Sequence, residues 1–218
     1  MGLTTHVDMV YCVDVSESMS RFLESVKESI TTGYRSLLQS SDSTGRNVSV
    51  VRIRVIAFRD LDSDTSQGLT ASRFFVVEPD EDSRHLRGFL DGLDASGGGD
   101  EPESALEALG VAINSPWVRL GKRQRSVIVL LTDSSAHRLE SRIGPIPAEF
   151  KDQIPASLDE LRSWWDGGDS GSQSGATRIP QGTQRLILFA PSTYPWSAIA
   201  DQWTNTFLMP TLDDTHGG

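Results

Sequence analysis

The chain has 218 residues, of which 37% are hydrophobic and 23% charged, so it is long enough to bury one substantial core, and we expect a single domain. Its 30 acidic residues outnumber its 20 lysines and arginines, and the net charge of -10 argues against a nucleic-acid partner, whose phosphates it would repel. The one cysteine, Cys12, excludes an internal disulfide, and the sequence has neither a membrane-spanning apolar stretch nor a signal-peptide pattern, so the expected location is cytoplasmic, away from membranes.

The first predicted element is a short apolar strand that ends abruptly in a polar loop. Residues 7–13 are rich in β-branched and aromatic side chains, which is typical of a buried central strand. Asp14, Ser16 and Ser18 follow it at alternate positions. Three small oxygen ligands in one loop suit a hard cation such as Mg²⁺, and the carboxyl end of a parallel strand opens into the ligand crevice of an α/β sheet. Capping of the next helix by Ser16 or Ser18 is the alternative, and the two roles are compatible.

Helical and extended patterns alternate through the middle of the chain. Apolar residues at helical spacing or in alternation predict each element, and Ser83 and Pro102 are read as helix-start signals. A continuous apolar run over 126–131 predicts a second buried parallel strand, which ends in Thr132 and Asp133. The other predicted elements are a helix over 19–38, a long strand over 48–58, a short antiparallel edge strand over 73–77, a helix capped by Ser83 and a helix from Pro102 to about Ile113.

The remaining third of the chain has a less regular pattern. We expect an elaborated loop over 134–184 that contains one short helix, 158–165, and a mobile Gly/Ser-rich segment, 167–175. A strand over 185–190, a helix over 196–203, a strand over 206–208 and a flexible tail over 213–218 complete the list. Alternating strands and helices predict an α/β fold, with a doubly wound, mostly parallel sheet, helices on both faces and one antiparallel edge strand, in a single domain over 1–212.

Three segments together resemble the von Willebrand factor A (VWA) domain family. DVSES at 14–18 resembles the DxSxS motif of that family's metal-ion-dependent adhesion site, and Thr132-Asp133 resembles the aspartate loop that completes the site. Gly98-Gly99-Asp100 stands where most members have Gly-Gly-Thr before a helix. The runs AFRD, GGGDEPESALEAL and LLTDSSAH, with Trp117, resemble an intracellular bacterial branch of the family. The order of these motifs and their positions at strand ends agree over nearly the whole chain.

The resemblance implies metal-dependent protein–protein interaction inside a cell, with another protein as partner and no small-molecule substrate. By analogy with the family, the serine hydroxyls bind the cation directly and the two loop aspartates act through water. Asp100 replaces a family threonine, and it either ligates the cation or caps the helix that starts at Pro102. Glu103 lies one helical step further and is a second candidate to reach inward. The implied ligands of Mg²⁺ or Mn²⁺ are Asp14, Ser16, Ser18, Asp100 and Asp133.

Two other functional classes remain open at this stage. A metal-dependent phosphoryl hydrolase of the haloacid-dehalogenase type would use Asp14 as its nucleophile, but that family requires a second aspartate where Ser16 stands. A structural VWA module that needs no metal is the other alternative. The segment GDSG at 168–171 imitates a serine-protease nucleophile without the ordered partners of that triad, and we interpret it as a coincidence. We expect a binding module rather than an enzyme. His137, shortly after Asp133, either lines the crevice or is an ordinary loop histidine.

Overall fold

A computed structural model describes residues 5–44, 48–64, 68–77, 80–98, 101–118, 123–167 and 178–211. Of the predicted mobile segment 167–175 only Gly167 is described, and the predicted tail 213–218 and Asp100 lie outside the described residues. The elements, in chain order, are β1 (Thr5–Asp14), α1 (Leu23–Thr44), β2 (Val48–Phe58), β3 (Leu69–Ala71), β4 (Phe75–Val76), α2 (Asp80–Asp91), α3 (Ala105–Ile113), β5 (Arg123–Leu131), α4 (Leu158–Trp165), β6 (Gln184–Ala190), α5 (Trp196–Gln202) and β7 (Thr206–Pro210).

The strands form one mostly parallel sheet in the order β3-β2-β1-β5-β6-β7. Strands β2, β1, β5, β6 and β7 are parallel, while β3 and β4 both pair with β2 in the antiparallel sense. The predicted doubly wound sheet with an antiparallel edge is therefore confirmed. The predicted edge strand is β4, shorter than expected, and β3 was not predicted because three residues are too few to show an alternating pattern.

Both faces of the sheet are buried, as the continuous apolar strand patterns predict. On β1, Val10 and Cys12 join a core cluster with side chains of α3, α4 and α5. The alternate residues Tyr11 and Val13 join a second cluster with α1 and α2. Successive side chains of a strand point to opposite faces, so helices cover the sheet on both sides. No helix among the described residues is long and apolar enough to cross a membrane.

The predicted start of α2 is wrong by one helical turn. The helix begins at Asp80, so Ser83 lies inside it rather than at its N-cap. The Ser83 hydroxyl instead donates a hydrogen bond of 2.5 Å to the carbonyl oxygen of Val77. A serine in the first turn of a helix can bond back to the preceding chain in this way, which conceals the true start of the helix in the sequence.

The predicted start of α3 at Pro102 is also wrong, because the helix begins at Ala105 with Ser104 as its N-cap. Glu103 forms a short parallel bridge with Ala136 in the loop after β5. The Glu103 amide donates to the carbonyl of Ser135 at 3.1 Å, and a return bond joins the His137 amide to the Glu103 carbonyl at 3.0 Å. These bonds to a distant loop hold residue 103 outside the helix, and Ser104 takes the N-cap position.

Candidate metal centre

The carboxyl ends of β1 and β5 meet at the point where the winding of the sheet reverses. Strand β1 lies between β2 and β5. Strand β3 lies beyond β2 at one edge of the sheet, and β6 and β7 lie beyond β5 toward the other edge. Val13 of β1 pairs with Leu131 of β5, so the next residues on the two strands, Asp14 and Thr132, lie side by side. A crevice at such a switch point is the usual ligand site of an open α/β sheet.

Asp14 lies at the base of this crevice with its carboxylate held in one orientation. The side chain is fully buried, at 0% exposure. Its Oδ1 accepts a hydrogen bond of 2.9 Å from the Ser16 amide, and its Oδ2 accepts one of 2.6 Å from the Thr132 hydroxyl. Burial raises the pKa of Asp14, the hydrogen bonds from Ser16 and Thr132 lower it, and the negative charge of Asp133 raises it again.

Two serine hydroxyls connect this buried aspartate loop to Asp133. The Oγ atoms of Ser16 and Ser18 lie 3.1 Å apart, and the Ser18 hydroxyl donates to Oδ1 of Asp133 at 2.9 Å. Ser16 is buried, Asp133 is half-buried and Ser18 is exposed, so the group opens to solvent on the Ser18 side. The structure thus brings together Asp14, Ser16, Ser18 and Asp133, as the sequence predicts, whereas Asp100 lies outside the described residues.

The loop that carries Asp133 is held in place by hydrogen bonds within the loop and from α5. Ser134 bonds to its neighbours through its amide, which donates to Thr132 Oγ1 at 3.1 Å, and through its hydroxyl, which lies 3.3 Å from Asp133 Oδ1. The indole Nε1 of the buried Trp196 on α5 donates to the Ser134 carbonyl at 3.0 Å. Asp133 is therefore positioned by contacts that need no metal.

Glu103 adds a third carboxylate to those of Asp14 and Asp133, and it is not one of the five predicted ligands. The residue is only 3% exposed, and its Oε2 has no hydrogen-bond partner among the described residues. Burial, together with the negative charges of Asp14, Asp60, Asp64 and Asp133, raises the pKa of Glu103 to about 8. An acidic residue between a proline and an apolar helix is a feature of the sequence that could have pointed to Glu103 as a site residue. Its position beside the site, however, depends on the pairing of its backbone with Ala136.

Arg59, in the AFRD segment, links the loop after β1 to the loop after α2 by hydrogen bonds. Its guanidinium donates to the Val15 carbonyl at 3.1 Å through Nε and to the Asp94 carbonyl at 2.7 Å through Nη2. Asp64 Oδ2 accepts a hydrogen bond of 2.6 Å from the Gly98 amide. These contacts bring Gly98 against the side of the site.

Gly98 provides a direct test of how closely the site is packed. Its φ is +73°, and a Cβ atom there would lie 2.7 Å from both Ser16 Cβ and Glu103 Oε1. Gly98→Ala should therefore move Ser16 and Glu103 apart and weaken Mg²⁺ binding at least tenfold, measured by isothermal titration calorimetry. The strain of the left-handed backbone alone costs roughly 1–2 kcal/mol of stability, and this cost must be separated from the effect on the site.

Gly182 is the matched control for that substitution. Its φ is +75°, but nothing lies within 4 Å of the Cβ that an alanine would add. Gly182→Ala should therefore lose similar stability and keep its Mg²⁺ affinity. Equal loss of affinity in both variants would show that the close packing around Gly98 has no influence on cation binding.

The donor set suits a hard divalent cation. Carboxylate and hydroxyl oxygens are the ligands that Mg²⁺ and Mn²⁺ take in proteins. A buried carboxylate oxygen without a hydrogen bond to the described part of the chain, such as Glu103 Oε2, is costly in its ionised form unless a cation or a proton compensates the charge. The residues present therefore fit the cation that the family resemblance implies.

The comparison with known protein families agrees with the fold. The model of the von Willebrand factor type A domain matches residues 9–136, a range that includes every predicted ligand. No curated protein matches the chain. Among solved structures, the pilus adhesin SpaC from Lactobacillus rhamnosus GG is similar at 18% identity over 60% of this chain, with a TM-score of 0.42. Its open conformation is similar at 18% identity over 58% of this chain, also with a TM-score of 0.42. The chain spans 15% and 14% of these two adhesin chains, respectively.

Proposed function

This chain belongs to the von Willebrand factor type A domain family, and we propose that it is a protein-interaction module whose binding depends on Mg²⁺ or Mn²⁺. Modules of this type commonly mediate protein interactions. The observation that carries the proposal is the continuous network from Asp14 through Ser16 and Ser18 to Asp133, with Glu103 beside it, whose Oε2 has no hydrogen bond to a described residue.

In this proposal Asp14, Ser16, Ser18 and Asp133 hold the cation, and Asp100 remains a proposed fifth ligand. A bound dication neutralises clustered negative charge and accepts further oxygen ligands. Ser18 and Asp133 lie on the solvent side, so a partner reaches the site past them. Thr132, Ser134 and Trp196 keep the Asp133 loop in place before the partner arrives.

The charge of the site bears on which partner group it accepts. Asp14 and Asp133 alone balance a dication, but Glu103 or Asp100 adds further negative charge. An acidic side chain from a partner would then approach a centre that is no longer positive. We therefore propose that the cation chiefly orders the loops and that the partner is recognised mainly by neighbouring surfaces.

The burial of Asp14 argues against the hydrolase alternative. Both of its carboxylate oxygens already accept hydrogen bonds, and the side chain has no exposed surface from which to attack a phosphoryl group. We therefore propose a non-enzymatic role, which a metal-dependent phosphatase assay checks. A cytoplasmic location also belongs to this proposal and rests on the single cysteine, Cys12, which is buried and free.

Affinity capture from the native host tests the proposal. The unmodified chain should retain a defined partner in Mg²⁺ and lose it in chelator, and Asp14→Asn should fail to retain it even with Mg²⁺. Glu28→Gln removes a carboxylate from the exposed surface of α1 and should behave as the unmodified chain. The same partner retained equally in Mg²⁺, in chelator and by Asp14→Asn would contradict metal-dependent recognition.

A further inference from the structure

A second group of metal-ligand side chains lies outside the predicted site. Asp60 and Asp62 follow β2, and His137 belongs to the loop after β5. One ligand atom from each residue lies within 4.8 Å of the other two. Asp60 is buried, and the other two residues are half-buried. The His137 side chain is thus neither an ordinary loop histidine facing solvent nor a member of the predicted site.

The contact between His137 and Asp60 has a spacing that two ligands of one cation can share. His137 Nε2 lies 3.2 Å from Asp60 Oδ1, yet this nitrogen is buried and has no hydrogen bond to any described residue. Metal–ligand bonds of about 2.1 Å place neighbouring ligand atoms about 3.0 Å apart in octahedral geometry and about 3.4 Å apart in tetrahedral geometry. The observed separation falls between these two values.

Hydrogen bonds orient both carboxylates of this group. Asp60 Oδ1 accepts from the Asp62 amide at 2.9 Å, and Asp60 Oδ2 accepts from the Ser63 hydroxyl at 2.7 Å. Asp62 Oδ1 accepts from the amides of Ile143 and Gly144, the first at 3.1 Å. All four donors are neutral, so the two negative charges are not compensated by these bonds. Outer contacts of this kind commonly orient the carboxylate ligands of metal sites.

Glu107 adds a buried carboxylate beside the group. This α3 residue is 0% exposed, and neither of its carboxylate oxygens has a hydrogen bond to a described residue. Its Oε1 lies 3.5 Å from Arg142 Nη1, and Glu107 is close enough to the His137 imidazole for the two side chains to interact electrostatically. Arg142 lies beside Glu107, so its positive charge is matched by that carboxylate, and the charges of Asp60 and Asp62 together match one dication if His137 is neutral.

We propose that Asp60, Asp62 and His137 form a second divalent-cation site, with Glu107 as a buried carboxylate that adds negative charge behind it. A site with one imidazole and two carboxylates favours a transition metal such as Mn²⁺, Co²⁺ or Zn²⁺ over Mg²⁺, because Mg²⁺ prefers oxygen ligands only. The cation would link the loop after β2 to the loop after β5. This site is independent of the proposed function, since none of its three ligands is a ligand of the first site.

Pulsed electron paramagnetic resonance with Mn²⁺ in excess Mg²⁺ tests the second site. Mn²⁺ bound there should show coupling to the ¹⁴N nucleus of an imidazole, in the unmodified chain and equally in Asp14→Asn. His137→Gln should remove the ¹⁴N coupling and weaken this Mn²⁺ binding at least tenfold. His85→Gln removes an exposed histidine on α2 and should change nothing.

Asp62→Asn is a second variant that tests the same site if His137→Gln does not fold. Asparagine retains an oxygen acceptor for the Ile143 and Gly144 amides while it removes the charge, so it should weaken the ¹⁴N-coupled Mn²⁺ at least tenfold in a folded protein. Two results would overturn the proposal: absence of ¹⁴N-coupled Mn²⁺ in the unmodified chain, or undiminished binding in Asp62→Asn. Failure of the first site would appear separately, as a Mg²⁺ response that Asp14→Asn does not alter.

Discussion

Asp14→Asn is expected to remove most of the rise in melting temperature that Mg²⁺ gives the unmodified chain. A ligand at a hundred times its Kd stabilises the folded state by about 2.7 kcal/mol, which for a domain of this size corresponds to roughly 5–10 °C. The substitution keeps the volume of the buried side chain and removes its charge. We therefore expect the variant to fold and to gain less than about 2 °C, by the same scaling, from the same Mg²⁺ concentration.

Differential scanning calorimetry with and without chelator measures this effect. Glu28→Gln is the control, because it removes one carboxylate from the exposed surface of α1 and leaves the crevice intact. Its Mg²⁺ response should equal that of the unmodified chain. An undiminished response in Asp14→Asn would mean that Mg²⁺ stabilises the protein at a place other than the Asp14 loop.

Glu103→Gln should change stability in opposite directions with and without metal. In chelator, the pKa of Glu103 is about 8 in the folded chain, chiefly because the side chain is buried, against an ordinary value of 4.5. Between these two values the folded state keeps a proton that the unfolded state has released, so the stability of the unmodified chain falls as pH rises. Glutamine does not titrate, so the melting temperature of the variant should fall less from pH 5 to pH 8.

Saturating Mg²⁺ should reverse the order of stability of Glu103→Gln and the unmodified chain. A nearby dication favours the ionised form of Glu103, and the glutamine variant lacks this favourable interaction. The variant should therefore be the more stable protein in chelator at pH 8 and the less stable one in Mg²⁺. Glu101→Gln, which changes an exposed carboxylate two residues away, should follow the unmodified chain in both conditions. Parallel pH profiles for Glu103→Gln and the unmodified chain in chelator would refute this account of Glu103.

The sheet and the approximate position of the site follow from local features of the sequence. Apolar runs mark β1 and β5 as buried parallel strands, and the polar residues that follow each run fall at the same edge of the sheet, because parallel strands share a direction. Asp14, Ser16, Ser18 and Asp133 are therefore predictable neighbours without coordinates. Each of them depends only on where its own strand ends.

Only the tertiary structure decided what surrounds those residues. Glu103 reaches the site because backbone bonds to Ser135 and His137 keep it extended, while its local sequence favours a helix that has already begun. Asp60 and His137 meet because the loops after β2 and β5 fold toward each other, which no pattern within either loop encodes. Strand and helix patterns depend on neighbours in the chain, whereas pairing between distant loops depends on the register and packing of the completed sheet.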